Sequence, residues 1–198
     1  MKKYVLLALL VVAISWNANA GNDNKSVLTV NAAESKVEWL GKKVTGEHKG
    51  NIAIASGELE FSDDKLTGGT FEIDMHSITN SDLENEEGRN KLVGHLKSDD
   101  FFGVEKYPKA HLVIKNVTHE QGSKYMVSGD VTIKGITKTI EFPVELSEND
   151  SKAWATAMIT IDRSEFDVKY GSGSFFDGLG DKMIYDDFVL NVTLVANK

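Results

Sequence analysis

The sequence predicts an all-β domain, an antiparallel sandwich or barrel of about eight strands with one helical segment among them. Three observations predict it. Apolar and polar residues alternate with a period of two in run after run, the pattern of strands with one buried face. Turn signals part those runs at short intervals: Ser62-Asp63-Asp64, Gly68-Gly69, Glu120-Gln121-Gly122, Lys134-Gly135 and Glu148-Asn149-Asp150. Only the stretch between Ser81 and Ser98 carries apolar residues at helical spacing.

Val37 and Trp39 give the first alternating pair, and Phe71, Ile73 and Met75 a later strand. Leu92, Val93 and Leu96 then recur at helical spacing, with Ser81 and Glu84 placed as a capping box. Gly88 and Gly94 weaken that helix, so it depends on docking its apolar face. It runs out through His95-Leu96-Lys97-Ser98-Asp99-Asp100-Phe101-Phe102, and Pro108 biases Tyr107 to extended geometry for the next strand. Leu112 and Ile114, then Val127, Val131 and Ile133, continue the sheet. Ile140, Phe142, Val144 and Leu146 face one way while Thr139, Glu141 and Glu145 face the other. In Ala153-Trp154-Ala155-Thr156-Ala157 the alternate alanines leave room on whichever side they face. Phe188, Leu190, Val192 and Leu194 form the last strand.

Composition narrows the function classes. Residues 1–20, MKKYVLLALLVVAISWNANA, have two lysines, an apolar run from Tyr4 to Ile14 and a small-residue end, which predicts a secretory signal peptide. A polar leader, 21–25, and one domain, 26–198, follow, with the mature protein in the periplasm or outside the cell. The apolar run is short for a membrane span and no later segment approaches one, so stable membrane insertion is not expected. Without Lys2 and Lys3, 20 basic side chains face 30 acidic ones, a net charge of −10 that repels nucleic acid. With no cysteine, hydrophobic burial must carry stability in an exported chain.

Catalytic signals are sparse. The five histidines, His48, His76, His95, His111 and His119, show no metal-ligand spacing, and His95 with Asp99 is a two-ligand fragment without a third member. A Gly-x-Ser-x-Gly elbow is missing, and Asp162-Arg163-Ser164-Glu165 reads as a strand-end ion-pair cluster. The glycine-rich run from Tyr170 to Gly180 joins two strands rather than a strand and a helix, so it reads as a loop that could also gate a barrel mouth. Aromatic residues are spread over nearly every strand, as plain core or as the wall of a cavity.

The residues then match a known pattern. Ser35-Lys36-Val37-Glu38-Trp39, His48-Lys49-Gly50, Gly57-Glu58-Leu59, the HLKSDDFF stretch with Tyr107-Pro108, the run from Val127 to Thr137, and Phe142-Pro143-Val144 together resemble the YceI-like family. The resemblance runs in order from about Ser26 to Val195. It implies an eight-stranded antiparallel lipocalin-like barrel with one short helix packed against it, binding a long-chain polyisoprenoid or isoprenoid quinone for transport, storage or sequestration. The ligand-binding set expected on the cavity wall or mouth is Trp39, Phe61, Phe71, Ile73, Leu92, Leu96, Phe101, Phe102, Ile114, Phe142, Trp154, Phe166, Tyr170 and Phe188, with His95 and Asp99 as polar groups at the helix end. No catalytic residue, metal or cofactor is expected beyond such a lipid, and a homodimer is compatible with the pattern. Gly103 departs from the family, where an aspartate commonly follows the aromatic pair, which argues against an acidic ligand there. Two alternatives remain: an envelope stress-response protein with a filled barrel acting through its surface, and a metal-assisted enzyme using His95 or His48.

Overall fold

A computed structural model of the chain describes residues 24–198. The expected signal peptide, residues 1–20, lies outside the described residues.

The described chain forms β1 (Lys25–Val30), β2 (Lys36–Lys43), β3 (Gly46–Ser62), β4 (Lys65–Asp74), α1 (Glu86–Lys97), β5 (Lys109–Gln121), β6 (Lys124–Ile133), β7 (Ile136–Glu148), β8 (Lys152–Asp162) and β9 (Ile184–Asn197). Strands β2 to β9 close into an eight-stranded antiparallel ring, in the order β3-β2-β9-β8-β7-β6-β5-β4 with β4 returning to β3. Closure leaves no free sheet edge in the ring. The ninth segment, β1, shares a seam with β2: Lys25 to Thr29 pair with Ser62 to Glu58 of β3, while Val30 reaches Ala196 of β9. Lys25, read from sequence as the end of the leader, is thus the first residue of a strand. Alternation alone could not find β1, because its partners lie at the far ends of β3 and β9.

One end of the barrel gathers the β2–β3 turn, the whole β4–β5 connection with α1, the β6–β7 turn and the long β8–β9 loop. The other end has only short connections. After β4 the chain makes one tight turn at Met75–Ser77, capped by Asp74 accepting from the His76 N–H. It then runs as a strap beside β3: Thr79 N–H donates to Asn51 O at 2.9 Å and Ser81 N–H to Lys49 O at 2.9 Å. Gly50 permits this approach, since a Cβ there would lie 1.8 Å from Thr79 O.

Helix α1 is capped by Asn85, whose side chain accepts from Gly88 N–H at 3.1 Å, and not by the Ser81–Glu84 box expected from sequence. Ser81 is committed to β3 instead. Glu86 and Glu87 in the first turn and His95 and Lys97 in the last suit the helix dipole. None of its residues is fully buried, as expected of a helix lying over a barrel end.

Candidate functional site

The inward faces of the ring strands do not fill the barrel. They enclose a cavity of about 270 Å³ whose wall takes residues from all eight ring strands and from α1. Along β9 it extends from Ile184 to Leu194, ten steps that rise roughly 33 Å along a strand. A strand tilt of about 40° brings that to roughly 25 Å along the barrel axis. A small volume spread over that length is a narrow tunnel, not a bowl; ordinary ligand pockets begin at roughly 300 Å³.

The wall is almost wholly hydrocarbon and ring, with alanines supplying the space. Ala155, Ala157, Ile159 and Ile161 of β8 face inward, flanked by Val144 of β7 and by Leu190 and Val192 of β9. At the inner end Leu59, Leu66, Val144 and Leu194 are all buried and form a floor. At the other end the wall reaches the surface through Lys42, Lys43, Glu47 and Tyr185, which marks the mouth. A line of rings leads there from inside: Phe188 to Phe102 at 6.3 Å, Phe102 to Phe101 at 6.1 Å, and Phe101 to Tyr170 at 5.7 Å.

The structure places Trp39, Phe71, Ile73, Leu92, Leu96, Phe101, Phe102, Ile114, Phe142 and Phe188 on the tunnel wall. Three others lie elsewhere, and Tyr170 lies at the mouth. Phe61 points inward two residues past Leu59 and packs in the core beyond the floor. Trp154 alternates with Ala153 and Ala155, so alanines facing the lumen put it on the outer face. Phe166 is buried in the turn after β8, off the wall. Tyr170 is exposed at the rim, stacked on Phe101 and His95.

The polar pair does not come together as a ligand set. The His95 ring packs edge-on against Phe101 and Tyr170, at 5.0 and 4.4 Å, while Asp99 pairs with Lys106 at 2.8 Å. Among the described residues no three His, Cys, Asp or Glu side chains converge as metal ligands. A different histidine braces the mouth. His48 Nδ1 lies 2.8 Å from Asp82, which also accepts from Lys49 N–H at 2.8 Å, tying the strap to β3. Burial pushes the Asp82 carboxyl up, but hydrogen bonds from Lys49, His48 and Asn80 outweigh it and hold the group below its ordinary value of 3.8. A carboxyl depressed in the fold stabilises above its unfolded value and loses that contribution as pH falls through its folded one. Asp82→Asn should therefore destabilise at neutral pH, by a margin that closes below about pH 4. Urea unfolding of both proteins across the acid range measures that margin.

Sequence reasoning missed Arg163. It continues the inward series of Ile159 and Ile161, a signal visible in the alternation, and it lines the tunnel while only 3% exposed. Its guanidinium donates to the backbone carbonyls of Val168, Tyr185 and Ile184, lies 3.3 Å from Asp186, and sits 5.6 Å over the Phe101 ring. Burial pulls its pKa below the ordinary value, with Asp186 and Asp162 pulling the other way. Spending its donors on three carbonyls makes it the clamp between β8, the long loop and β9.

A closed antiparallel barrel with an apolar tunnel, a floor and one mouth defines a binding protein for an apolar guest. The YceI-like domain profile matches residues 28–196, and the chain belongs to that family. A UPF0312 protein of Vibrio parahaemolyticus is 26% identical over 189 residues, covering 89% of this chain and 95% of that one. One of Photorhabdus laumondii is 33% identical over 104 residues, which span 52% of this chain and about half, 53%, of the relative. Among solved structures, Burkholderia cenocepacia BcnA matches with a TM-score of 0.69 at 27% identity, over 84% of this chain and 99% of that one. A polyisoprenoid-binding domain of Saccharophagus degradans, implicated in plant cell wall breakdown, shares the fold with a TM-score of 0.62 at 12% identity, over 86% and 97% of the two chains.

Proposed function

We propose that this protein holds the tail of a long-chain polyisoprenoid or isoprenoid quinone inside its barrel, for transport, storage or sequestration in the periplasm or outside the cell. The observation that carries the reading is the tunnel: hydrocarbon-walled, narrow, roughly 25 Å long and floored at one end. Burying a five-carbon isoprene unit is worth roughly 3–4 kcal/mol, at about 0.8 kcal/mol per carbon group. Association and ordering cost about 4–15 kcal/mol, so one or two units barely bind while four or more bind well without a strong polar contact. The polyisoprenoid-binding barrel of Saccharophagus supports this choice of guest. The signal-like segment at 1–20 supports export. No catalytic group or cofactor other than the lipid is required. The alternative of a protein acting only through its surface calls for a filled barrel, and the open lumen weighs against it.

The test is extraction of the purified protein with organic solvent, followed by mass spectrometry. A prenyl-chain lipid at near one per chain is expected, with rebinding of added prenyl chain after delipidation. Protein that repeatedly emerges empty and takes up no added prenyl chain would refute the proposal.

A further inference from the structure

Exposed apolar side chains gather at the mouth end of the barrel, beside the Lys42, Lys43, Glu47 and Tyr185 that mark the opening. Of the eight large hydrophobic residues exposed on the described surface, six lie at the mouth end: Val44, Tyr107, Tyr170, Phe175, Phe176 and Tyr185. Five of them sit on segments that meet beside the opening. Val44 N–H donates to Met183 O at 3.1 Å, joining the β2–β3 turn to the start of β9, where Tyr185 is both tunnel wall and surface, 48% exposed. Buried Ser172 bridges to Ile184, another wall residue, and its carbonyl accepts from the N–H groups of Phe175 and Phe176. Those rings are 44% and 50% exposed at the loop tip, next to Tyr170 at 47%. Scattered exposed hydrophobics are ordinary, but this clustering around an opening is not.

From this geometry, and resting on the binding reading above, we infer that the mouth docks on a lipid bilayer, with Phe175 and Phe176 inserted at the headgroup level. A line of rings runs from Phe188 through Phe102 and Phe101 to Tyr170, one of the exposed rings, so a tail leaving the lumen meets apolar surface on the way to the patch. Tyrosine and phenylalanine rings suit the membrane interface, where one side is greasy and the other wet. Charge selects the kind of bilayer. Around the patch the acids Glu47, Glu165, Asp167, Asp177, Asp181, Asp186 and Asp187 nearly balance the bases Lys42, Lys43, Lys134, Arg163, Lys169 and Lys182, and several already pair, Asp186 with Arg163 and Asp167 with Lys169. Lys169 moreover already lies 5.2 Å over the Phe175 ring. The surface therefore fits zwitterionic headgroups, with attachment by the rings rather than by charge.

The experiment floats delipidated full-length mature protein with vesicles of phosphatidylethanolamine and phosphatidylcholine, and in a second arm with phosphatidylglycerol added. Wild type should float with both, no more strongly when anionic lipid is present. Phe175→Ser/Phe176→Ser should weaken flotation at least tenfold, yet load a prenyl chain from detergent micelles as wild type does, which also shows that it folds. Wild type that stays in solution, a double variant that floats equally well, or binding seen only with phosphatidylglycerol overturns the inference. So does an ultracentrifugation result in which the patch holds two copies together and the variant is a monomer. Lost micelle loading in wild type with flotation intact would refute the cargo reading while supporting the docking surface.

Discussion

Replacing Ala155 and Ala157 together with phenylalanine should abolish binding of a long prenyl chain while leaving the empty barrel folded. Both alanines line the tunnel from β8, paired with Leu146 and Val144 of β7 on one side and Leu194 and Val192 of β9 on the other, so the new rings occupy its inner third. Each isoprene unit they exclude removes roughly 3–4 kcal/mol. Loss of two units costs about 6–8 kcal/mol, more than ten-thousand-fold in Kd. Ala157 borders the open lumen, but Ala155 belongs to the packed core near the floor, so the apoprotein should lose about 1–3 kcal/mol and still fold. Titration of delipidated protein with a fluorescent prenyl chain, beside a thermal melt of the apoprotein, separates the two effects. Unchanged affinity would place the chain outside the tunnel.

Gly50→Ala is expected to give the largest loss of stability. A methyl there would meet Thr79 O at 1.8 Å and the Trp39 ring at 2.8 Å, and the nearer obstacle is backbone, which cannot swing aside. The strap from Ser77 to Asp82 must lift, breaking the bonds to Lys49 and Asn51 and the one from Trp39 Nε1 to Thr79 O at 3.0 Å. A cost of about 3 kcal/mol, at the top of the overpacking range, follows. For a domain of this size that lowers Tm by roughly 6–12 °C. Gly41→Ala is the control, because no atom lies within 4 Å of its would-be Cβ; its melt should shift little or rise slightly. Equal melts for the two variants would mean that the strap is not held against β3.

How legible each wall residue was in the sequence follows from how local its cause is. Phe142 on β7 and Phe188 on β9 could be paired with their inward neighbours at i+2 because a strand's period is a property of the chain itself. Trp154 shows the limit of that rule. Alternation says that Trp154 and Ala155 face opposite ways, but which of them faces the lumen depends on how β8 pairs with β7 and β9. Phe61 and Phe166 fail for another reason: they are inward or buried, yet they lie beyond the floor or outside the ring, positions with no sequence signal. Arg163 was read as part of a strand-end ion-pair cluster. Its tie to Asp186 fits that reading, but its burial could not be seen without the loop that wraps it.

The helix start makes the same point. Ser81 and Glu84 have the right spacing for a capping box, but Ser81 is already bonded to β3, and Asn85 caps in their place. A local rule lost to a tertiary hydrogen bond.

By itself the sequence determined which faces of the strands are apolar, where most turns fall, that one helix interrupts the sheet, and that no cysteine or charge block directs the chemistry. Those are consequences of side-chain identity and chain periodicity. Only the tertiary structure decided that the sheet closes on itself, that Ala155 and Ala157 of β8 face the lumen instead of Trp154, and that exposed rings from separate segments gather at one end. Each of these depends on which distant strands become neighbours, and so on register and packing rather than on any local stretch.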